Sequence, residues 1–376
     1  MAGIYIHIPF CKQACHYCNF HFATSLRLKN ELVAALLKEM DLQRDYFEKE
    51  KVETIYFGGG TPSLLQIDDL SVQLEKIRSI FDVAEDAEIT LEANPDDINE
   101  EKLTGWKETG INRLSIGVQS FFEEDLRWMN RAHDVSHAVV SLQSAVRQFD
   151  NITVDLIYGT PLLTNERWQQ NVDAVIELSI PHLSCYALTV ESKTPLQKMI
   201  SLGKMEDVSP DKQSEQFLLL MQWMEQAGYE HYEISNFAKL GSSSGRPGFR
   251  SRHNSSYWQQ KKYLGIGPSA HSLNENSRQW NVSNNTVYIE SINKGIIPFE
   301  REELTAIQKT NEYIMTSLRT MEGLDLTKVE AELTDRLIKQ TRKYVDRGLL
   351  LQKNSWLILT NEGKLLADGI ASDLFV

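Results

Sequence analysis

The sequence is poor in cysteine, has no long apolar run and carries no excess of positive charge. Its 4 cysteines among 376 residues are too few to staple the chain with disulfides, and no apolar stretch approaches the ~18–20 residues that cross a bilayer. With 39 Lys and Arg against 52 Asp and Glu, the net charge is −13, which argues against nucleic acid as the main partner. The first strand-like run has no basic flank and no small-residue cleavage site, so we expect no signal peptide and a cytoplasmic protein.

Six short β-rich runs alternate with helical patterns in the first half of the chain. The runs are 3–8, 54–57, 88–93, 113–117, 152–158 and 182–188, and the helical patterns include 33–47, 65–81, 136–149 and 168–178. Six successive β-then-α units predict an α/β fold with a parallel sheet, and the length fits a partial, TIM-like (β/α)6 barrel. In such folds the chemistry lies at the carboxyl ends of the strands, where the Gly, Cys and acidic residues of this sequence cluster.

The regular alternation ends after Glu191. We expect a helix over 211–227, a strand over 229–234 and a loop over the Gly/Ser-rich segment 241–248. Helices over 305–321, 326–333 and 335–347, a hairpin over 349–359 and a closing helix over 365–374 then predict a small winged-helix-like α+β domain. The predicted division is a barrel core over 1–240, an extension over 241–301 and the small domain over 302–376. The small domain has no dense Lys/Arg stripe, so we interpret it as a packing or partner surface.

Three of the four cysteines lie close together in the sequence. Cys11, Cys15 and Cys18 have the spacing C-x3-C-x2-C directly after the first strand. Three thiolates on so short a loop can bind one soft metal centre, and an iron–sulfur cluster with three protein ligands would keep one iron open. A zinc site that also uses His16 or His21 is an alternative, and three buried core cysteines are a second.

The cysteine pattern, with Tyr17 as the aromatic residue before the last cysteine, resembles that of the radical S-adenosylmethionine (radical SAM) superfamily. The resemblance implies that Cys11, Cys15 and Cys18 hold a 4Fe–4S cluster and that the open iron is chelated by S-adenosylmethionine (SAM). It also implies that Tyr17 contacts SAM. Reductive cleavage of SAM in that superfamily gives a 5′-deoxyadenosyl radical.

Two motifs at predicted strand ends have residues suited to binding a cofactor. In Phe57-Gly-Gly-Gly-Thr-Pro, the glycines allow backbone to approach a ligand closely, and the missing lysine argues against a nucleotide P-loop. Glu92 ends the third strand, where a carboxylate can accept both hydroxyls of a ribose. By the resemblance, Gly59, Gly60 and Thr61 hold the methionine amino group of SAM.

Further polar residues follow in the next strands. Gln119 ends the fourth strand, and Arg131, twelve residues later, offers a bidentate donor for a carboxylate. Asp155 lies within an apolar strand, where a buried acid needs a partner. The resemblance implies that Tyr5, Glu92, Gln119, Arg131, Asp155 and Ala187 are SAM contacts.

These motifs together resemble the subfamily that contains oxygen-independent coproporphyrinogen III dehydrogenase and the heme chaperones. Tyr-x-His-Ile-Pro-Phe-Cys, Phe-Gly-Gly-Gly-Thr-Pro, Ser-Ile-Gly-Val-Gln-Ser and Asp-Leu-Ile-Tyr-Gly all occur here, and the resemblance runs from Tyr5 to about Ser272. The dehydrogenase has a further cysteine two positions after the third, where this chain has Phe20, and a long extension before its first strand. Both differences favour a chain without the dehydrogenase activity.

The heme-chaperone branch has His-Asn-x-x-Tyr-Trp, and this chain has it at residues 253–258. His253 and Tyr257 are candidate ligands of the heme iron, and Trp258 can pack on the macrocycle. We therefore predict a heme chaperone that binds heme, a 4Fe–4S cluster and SAM. It would deliver heme to client haemoproteins, respiratory ones included, and reach the membrane only through a partner. The dehydrogenase and a non-catalytic zinc module are the alternatives. His271 is assigned to either the SAM site or the core, and Cys185 to the core.

Overall fold

The computed structural model describes residues 2–241 and 248–376, so most of the predicted loop over 241–248 lies outside the described residues. The chain divides into two compact units. The core unit is Met1–Ser209 with Lys261–Glu302, and the C-terminal unit is Pro210–Gln260 with Glu303–Val376. The three-part division at 240/241 and 301/302 stays a prediction.

The first part of the core unit alternates strands with helices. Its elements are β1 (Ala2–Ile8), α1 (Lys29–Leu42), β2 (Val52–Gly59), α2 (Ile67–Ile80), β3 (Val83–Ala93), α3 (Glu100–Thr109), β4 (Arg113–Gln119), α4 (Glu123–Trp128), α5 (Val135–Gln148), β5 (Ile152–Tyr158), α6 (Asn165–Glu177), β6 (His182–Ala187) and α7 (Pro195–Ser201). Strands β1 to β6 pair in sequential order, each parallel to the next. This open sheet of consecutive βα units confirms the predicted partial (β/α)6 barrel.

The chain then passes through the C-terminal unit and returns. Elements of the C-terminal unit are α8 (Pro210–Gln226), β7 (Tyr229–Glu233), β8 (Asn236–Lys239) and α9 (Arg252–Trp258). Back in the core unit follow β9 (Lys262–Ile266), β10 (His271–Leu273), β11 (Ser277–Asn281), α10 (Asn285–Asn293) and β12 (Phe299–Glu303). Strand β9 pairs in parallel with β1, and β10, β11 and β12 extend the sheet beyond β9.

The last segment of the C-terminal unit is a small α+β module. It contains α11 (Ala306–Leu318), β13 (Leu324–Asp325), α12 (Ala331–Val345), β14 (Leu350–Lys353), β15 (Trp356–Leu359), α13 (Asn361–Lys364) and α14 (Ala367–Asp373). Its antiparallel strands have the order β13-β15-β14, and Leu318, Leu337, Leu357 and Ile370 belong to one apolar core. The winged-helix-like prediction is thereby confirmed.

Three local predictions were wrong. The segment predicted as a helix over 326–333 forms only a short 3-10 turn, Leu326–Lys328, before α12. The helix predicted over 33–47 ends at Leu42, and Glu48 in the turns that follow has a left-handed φ of 56°. Helix α3 was missed, and its interior Gly105 explains why. Glycine lowers helix propensity, but a Cβ at 105 would lie 2.2 Å from the end of the Ile67 side chain, so glycine lets α3 pack against the first residue of α2.

The parallel strands are apolar because both of their faces are covered. Ile55, Tyr56 and Phe57 are consecutive residues of β2 and therefore point to alternate faces, and all three are buried, as expected for a parallel sheet covered on both sides. Within the described residues, none of the helices combines the length and the hydropathy that a bilayer-crossing segment needs.

Candidate functional site

The carboxyl ends of the parallel strands surround a cavity of about 460 Å³ in the core unit. Its wall contains the three clustered cysteines, all half-buried, and every predicted SAM-contact residue except Tyr5. The predicted residues brought together there are Cys11, Cys15, Cys18, Tyr17, Gly59, Gly60, Thr61, Glu92, Gln119, Arg131, Asp155 and Ala187. Residues spread over 176 positions of sequence thus line one cavity (187 − 11 = 176).

The cysteine loop is fixed to the segment that follows α4 by hydrogen bonds that involve no thiol. Gln13 Nε2 donates to Asn130 Oδ1 at 2.8 Å, and Asn130 Nδ2 donates to the carbonyl oxygen of Ala14 at 2.7 Å. The backbone N–H of His16 donates to the carbonyl oxygen of Met129 at 3.1 Å. These hydrogen bonds fix the loop through groups other than its thiols, which leaves the thiols available as ligands.

Arg131 connects this loop to the strand ends. Its Nη1 donates to Cys15 Sγ and to the Tyr17 hydroxyl, each at 3.4 Å, and its Nη2 donates to Asn94 Oδ1 at 2.8 Å and to the Gly117 carbonyl oxygen at 2.7 Å. Burial acts to lower the pKa of the guanidinium, but Tyr17 and Cys15 hold that pKa above its usual range. A permanent positive charge therefore lies beside the thiols, as a thiolate-bound cluster or a carboxylate ligand requires.

Burial favours the protonated form of two of the clustered thiols, Cys11 and Cys18. Burial raises the pKa of Cys11 to about 11, against a hydrogen bond with Thr61, and burial also raises the pKa of Cys18. Binding of a soft metal centre must therefore release protons. Among the described residues, no three His, Cys, Asp or Glu side chains are grouped as a single metal ion would need.

Glu92 is held at the end of β3 by two donors. The Tyr56 hydroxyl donates to its Oε1 at 2.8 Å, and the backbone N–H of Gly59 donates to its Oε2 at 3.1 Å. Burial raises the pKa of the Glu92 carboxyl to about 7, and the nearby Asp155 adds to this, while the Tyr56 hydrogen bond opposes it. The carboxyl group is thus positioned and close to half-protonated near neutral pH, and it can accept hydroxyl donors when ionised.

Asp155 lies across the cavity on β5. The Ser115 hydroxyl approaches both of its carboxylate oxygens at 3.4 Å. Burial raises the pKa of Asp155 to about 6, against a hydrogen bond with Ser184 and the positive charges of Arg113 and Arg131. The predicted need of this acid for partners is met by serines on the two neighbouring strands.

Gly59 and Gly60 of the glycine motif lie so close to the end of β1 and the residues after it that a side chain would not fit. A Cβ on Gly60 would lie 2.6 Å from the Phe10 carbonyl oxygen and 2.7 Å from that of Ile8. Gly59 has a φ of 106°, and a Cβ there would lie 2.6 Å from the His7 ring. The glycines are therefore required by the structure, and they also expose backbone on the cavity wall.

The donor set suits the cofactors that the sequence predicts. Three soft thiols, a buried arginine fork and a carboxyl group line one cavity. Among the described atoms, Gln119 Oε1 and Arg131 Nε are buried without a hydrogen-bond partner, so they retain capacity for a polar ligand. Gln119 also has a left-handed φ of 70°, a conformation that costs energy in a non-glycine residue and is commonest at functional sites.

Asn94 is a site residue that the sequence analysis missed. Its Oδ1 accepts from Arg131, its Nδ2 donates to Thr61 Oγ1 at 3.2 Å, and it lines the cavity. Alternation gives the available signal: Asn94 is two residues after Glu92, and residues at this spacing in a strand lie on the same face.

Three residues that the sequence analysis singled out, Tyr5, His271 and Cys185, are not part of the described cavity wall. Tyr5 stacks on Tyr56 with ring centroids 6.0 Å apart and is not among the described residues of the wall. His271 is exposed on β10 and stacks on Trp280 at 6.2 Å, so neither the core nor the cavity wall contains it. Cys185 is 2% exposed in β6, which confirms its assignment to the core.

The His-Asn-x-x-Tyr-Trp motif forms α9 in the C-terminal unit. Ser251 caps the helix by accepting from the backbone N–H of Asn254 at 3.2 Å. His253 is 1% exposed, and its Nε2 is 2.8 Å from the Tyr257 hydroxyl, one helical turn away. Trp258 is half-buried beneath the Arg319 guanidinium, which lies 5.3 Å from its ring centroid. Heme ligation by His253 and Tyr257 would have to replace their mutual hydrogen bond, and it stays a prediction.

Comparison with known proteins agrees with this arrangement. The family model of the Radical SAM superfamily matches residues 5–175. The heme chaperone HemW of Mycobacterium tuberculosis is 32% identical over 378 residues, covering 99% of this chain and 94% of that protein. The HemW proteins of Bacillus subtilis and Escherichia coli are each 32% identical as well, covering 98% of this chain and 98% and 96% of their own lengths. The chain belongs to the HemW family of radical SAM proteins.

The HemW family assignment also agrees with a solved structure. Coproporphyrinogen III oxidase (HemN) from Escherichia coli superposes with a TM-score of 0.84 over 100% of this chain and 90% of that one, at 23% identity. At this identity the likeness shows the fold. It covers both the core unit and the C-terminal unit, so each unit has a counterpart of the same fold in that structure.

Proposed function

We propose that this protein is a heme chaperone that binds heme, a 4Fe–4S cluster and SAM and transfers heme to haemoproteins. The observation that carries the proposal is the match to HemW relatives over nearly the whole chain, core and C-terminal units alike. The cavity in the core unit and α9 in the C-terminal unit then have separate roles: the first for the cluster and SAM, the second for heme.

In the core unit, Cys11, Cys15 and Cys18 would bind the cluster, which when bound would supply an electron for reductive cleavage of SAM. Arg131 offers its guanidinium to the thiolates and to a carboxylate, and Glu92 offers a carboxyl group to ribose hydroxyls. Exposed backbone at Gly59 and Gly60 allows the methionine end of SAM to approach. These assignments rest on the shared cavity and on the chemistry of each group.

The dehydrogenase alternative has one residue against it in this cavity. Phe20 takes the position of the dehydrogenase's additional cysteine, lines the cavity and is 68% exposed. A phenyl ring cannot bind iron or transfer protons, so this position lacks the thiol that the dehydrogenase has there. We therefore place decarboxylation of coproporphyrinogen below heme binding.

One preparation can separate the candidate functions. The full chain is reconstituted anaerobically with iron and sulfide, assayed for metal content, titrated with heme, and assayed with SAM for protoporphyrinogen formation. We expect iron and sulfide in equal amounts, saturable heme binding at about one site per chain, and no protoporphyrinogen.

Each alternative predicts a different result. Protoporphyrinogen formation would identify a dehydrogenase, and zinc without iron and sulfide would identify a zinc module. The absence of a saturable Soret change would refute the chaperone. A Soret spectrum unchanged by His253→Ala combined with Tyr257→Ala would reject only these two residues as iron ligands. Transfer is tested last, by mixing the heme-loaded chain with an apo-haemoprotein and following the client's own spectrum.

A further inference from the structure

The C-terminal unit contains a second cavity, of about 660 Å³, whose wall includes aromatic and cationic side chains. Its lining residues include Trp258 of α9, Tyr313 of α11, Trp356 of β15 and the buried Tyr232 of β7. The volume falls within the ~300–1,000 Å³ of ordinary small-molecule sites. Four aromatic rings in one wall suit a flat, conjugated ligand, because stacked and edge-to-face contacts favour such a ring.

The charges of this wall contrast with those of the whole chain. Arg250, Lys309 and Lys328 line the cavity against a single acid, Glu322, although the protein carries a net charge of −13. Arg250 is paired with Glu230 at 2.6 Å and with Glu322 at 2.7 Å, so the two acids compensate its charge. Lys309 and Lys328 add two further cationic groups to the wall. Lys328 Nζ also lies 5.8 Å from the centroid of the Tyr313 ring.

We propose that this cavity binds a porphyrin dicarboxylate, with the macrocycle against Trp258, Tyr313 and Trp356 and the carboxylates on Lys309 and Lys328. The inference rests on the proposed heme function and specifies the contacts that function would use. A flat apolar ring with two carboxylates matches a wall of aromatic rings with two lysines, since each carboxylate gains a charge-assisted hydrogen bond. Most of the binding free energy then comes from contacts of the macrocycle and its carboxylates, and ligation of the iron adds a smaller part.

The position of α9 agrees with a site in which the macrocycle and its carboxylates, and not the iron, make the main contacts. Trp258 lies on the cavity wall, whereas His253 and Tyr257 are not among its described lining residues. Lys309 lies on α11 and Lys328 in the turn before α12, so the proposed carboxylate contacts come from a segment that the His-Asn-x-x-Tyr-Trp motif does not include. Binding of a porphyrin without iron is the property that separates this site from one built on iron ligation alone.

The test uses the full chain with two ligands, heme and metal-free protoporphyrin IX, and two double variants. Lys309→Glu with Lys328→Glu reverses the proposed carboxylate contacts. Lys339→Glu with Arg347→Glu is the matched control, because both residues are exposed on or next to α12, outside the cavity. Circular dichroism and thermal unfolding establish that both variants fold, and absorbance and porphyrin fluorescence give the Kd values.

We expect the wild type to bind both ligands. The cavity variant should bind each ligand at least about tenfold more weakly, and the control should stay within about twofold. Heme binding that the cavity variant leaves unchanged, or failure of metal-free protoporphyrin to bind when heme does, would overturn this site and leave the heme-chaperone proposal standing. A wild type that binds neither ligand would overturn both.

Discussion

Arg131 and Cys15 are joined by a hydrogen bond from Nη1 to Sγ at 3.4 Å, although 116 residues separate them in the sequence. The same guanidinium donates to Asn94 and to the backbone of Gly117, so it links the cysteine loop to the ends of two strands. A lysine could supply the charge at this position, but a single ammonium cannot reproduce a fork that donates in two directions. Arg131 therefore combines an electrostatic role with a structural one.

The first prediction concerns Arg131→Lys. We expect the reconstituted variant to bind SAM at least about tenfold more weakly and to retain less iron, because the contacts to Asn94 and Cys15 cannot both be kept. Equilibrium dialysis with labelled SAM and iron analysis measure the two effects. Arg127→Lys is the control, since Arg127 is exposed on α4 and forms only a loose pair with Glu123 at 3.7 Å. Unchanged SAM affinity in Arg131→Lys would remove this residue from the site.

The second prediction separates the four cysteines. Single changes of Cys11, Cys15 or Cys18 to Ala should each reduce reconstituted iron and sulfide to less than about a quarter of the wild-type amount, because two thiolates hold an iron–sulfur cluster poorly. Cys185→Ala should retain the wild-type amount, since this thiol is buried within β6. The 400 nm absorbance band and iron and sulfide analyses are the readouts. Equal losses in all four variants would indicate that general destabilisation, and not ligation, is being measured.

Sequence reasoning found most of this site because its residues follow strands of a repeated βα pattern. Glu92 and Gln119 could be placed at one edge of the sheet because each ends a strand, whereas Asp155 lies within its strand and was assigned through the family resemblance. The structure brings all three to one cavity. Asn94 was missed because its two-residue spacing from Glu92 indicates only a shared face, whereas its role comes from a hydrogen bond with Arg131, 37 residues away in the sequence. The same limit applies to α3, whose Gly105 is explained only by the approach of Ile67 from another helix. The cavity in the C-terminal unit was not predicted, since residues of its wall such as Tyr232 and Trp356 share neither a motif nor a repeated pattern that would relate them.

The third prediction concerns pH and Glu39, a fully buried acid of α1 far from the cysteines in sequence. It accepts from the backbone N–H of Gly267 at 2.8 Å, from Asn281 Nδ2 at 2.7 Å and from the Tyr288 hydroxyl. Burial raises the pKa of this carboxyl to about 7, although these hydrogen bonds oppose the shift. Above the usual pKa of about 4.5, the folded state therefore binds more protons than the unfolded state, and stability falls as the pH rises toward 7.

Comparison with Glu39→Gln isolates this effect from other titrating groups. Between pH 5 and pH 8, we expect the free energy of unfolding of the wild type to fall by ~1–3 kcal/mol relative to that of the variant. Urea unfolding followed by tryptophan fluorescence at several pH values measures the difference. Glu101→Gln, an exposed change on α3, should give a profile parallel to that of the wild type. If the pH dependence of the free energy of unfolding were the same for Glu39→Gln and the wild type, the pKa of the Glu39 carboxyl would not be raised in the folded protein.

The last prediction concerns Gly60, which directly follows β2 and contacts the segment that directly follows β1. The backbone N–H of Gly60 donates to the Ile8 carbonyl oxygen at 2.9 Å, and that of Thr61 donates to Phe10 at 2.7 Å. A Cβ at position 60 would lie 2.6 Å from the Phe10 carbonyl oxygen, a backbone atom that can move only if these hydrogen bonds are disturbed. Gly60→Ala should therefore cost ~3 kcal/mol of stability and displace the start of the cysteine loop.

A glycine in open space is the matched control for Gly60→Ala. Gly203 has a φ of 67°, and a Cβ there would meet nothing within 4 Å, so Gly203→Ala should cost only the ~1 kcal/mol of a left-handed alanine. Thermal unfolding measures both losses, and iron analysis after reconstitution shows whether the cysteine loop still binds its cluster. We expect Gly60→Ala to lose both stability and iron, and Gly203→Ala to keep its iron. Equal stability losses in the two variants would show that the chain around β1 and β2 can move apart at this point. Close approach of the backbone would then not be the reason for glycine at position 60.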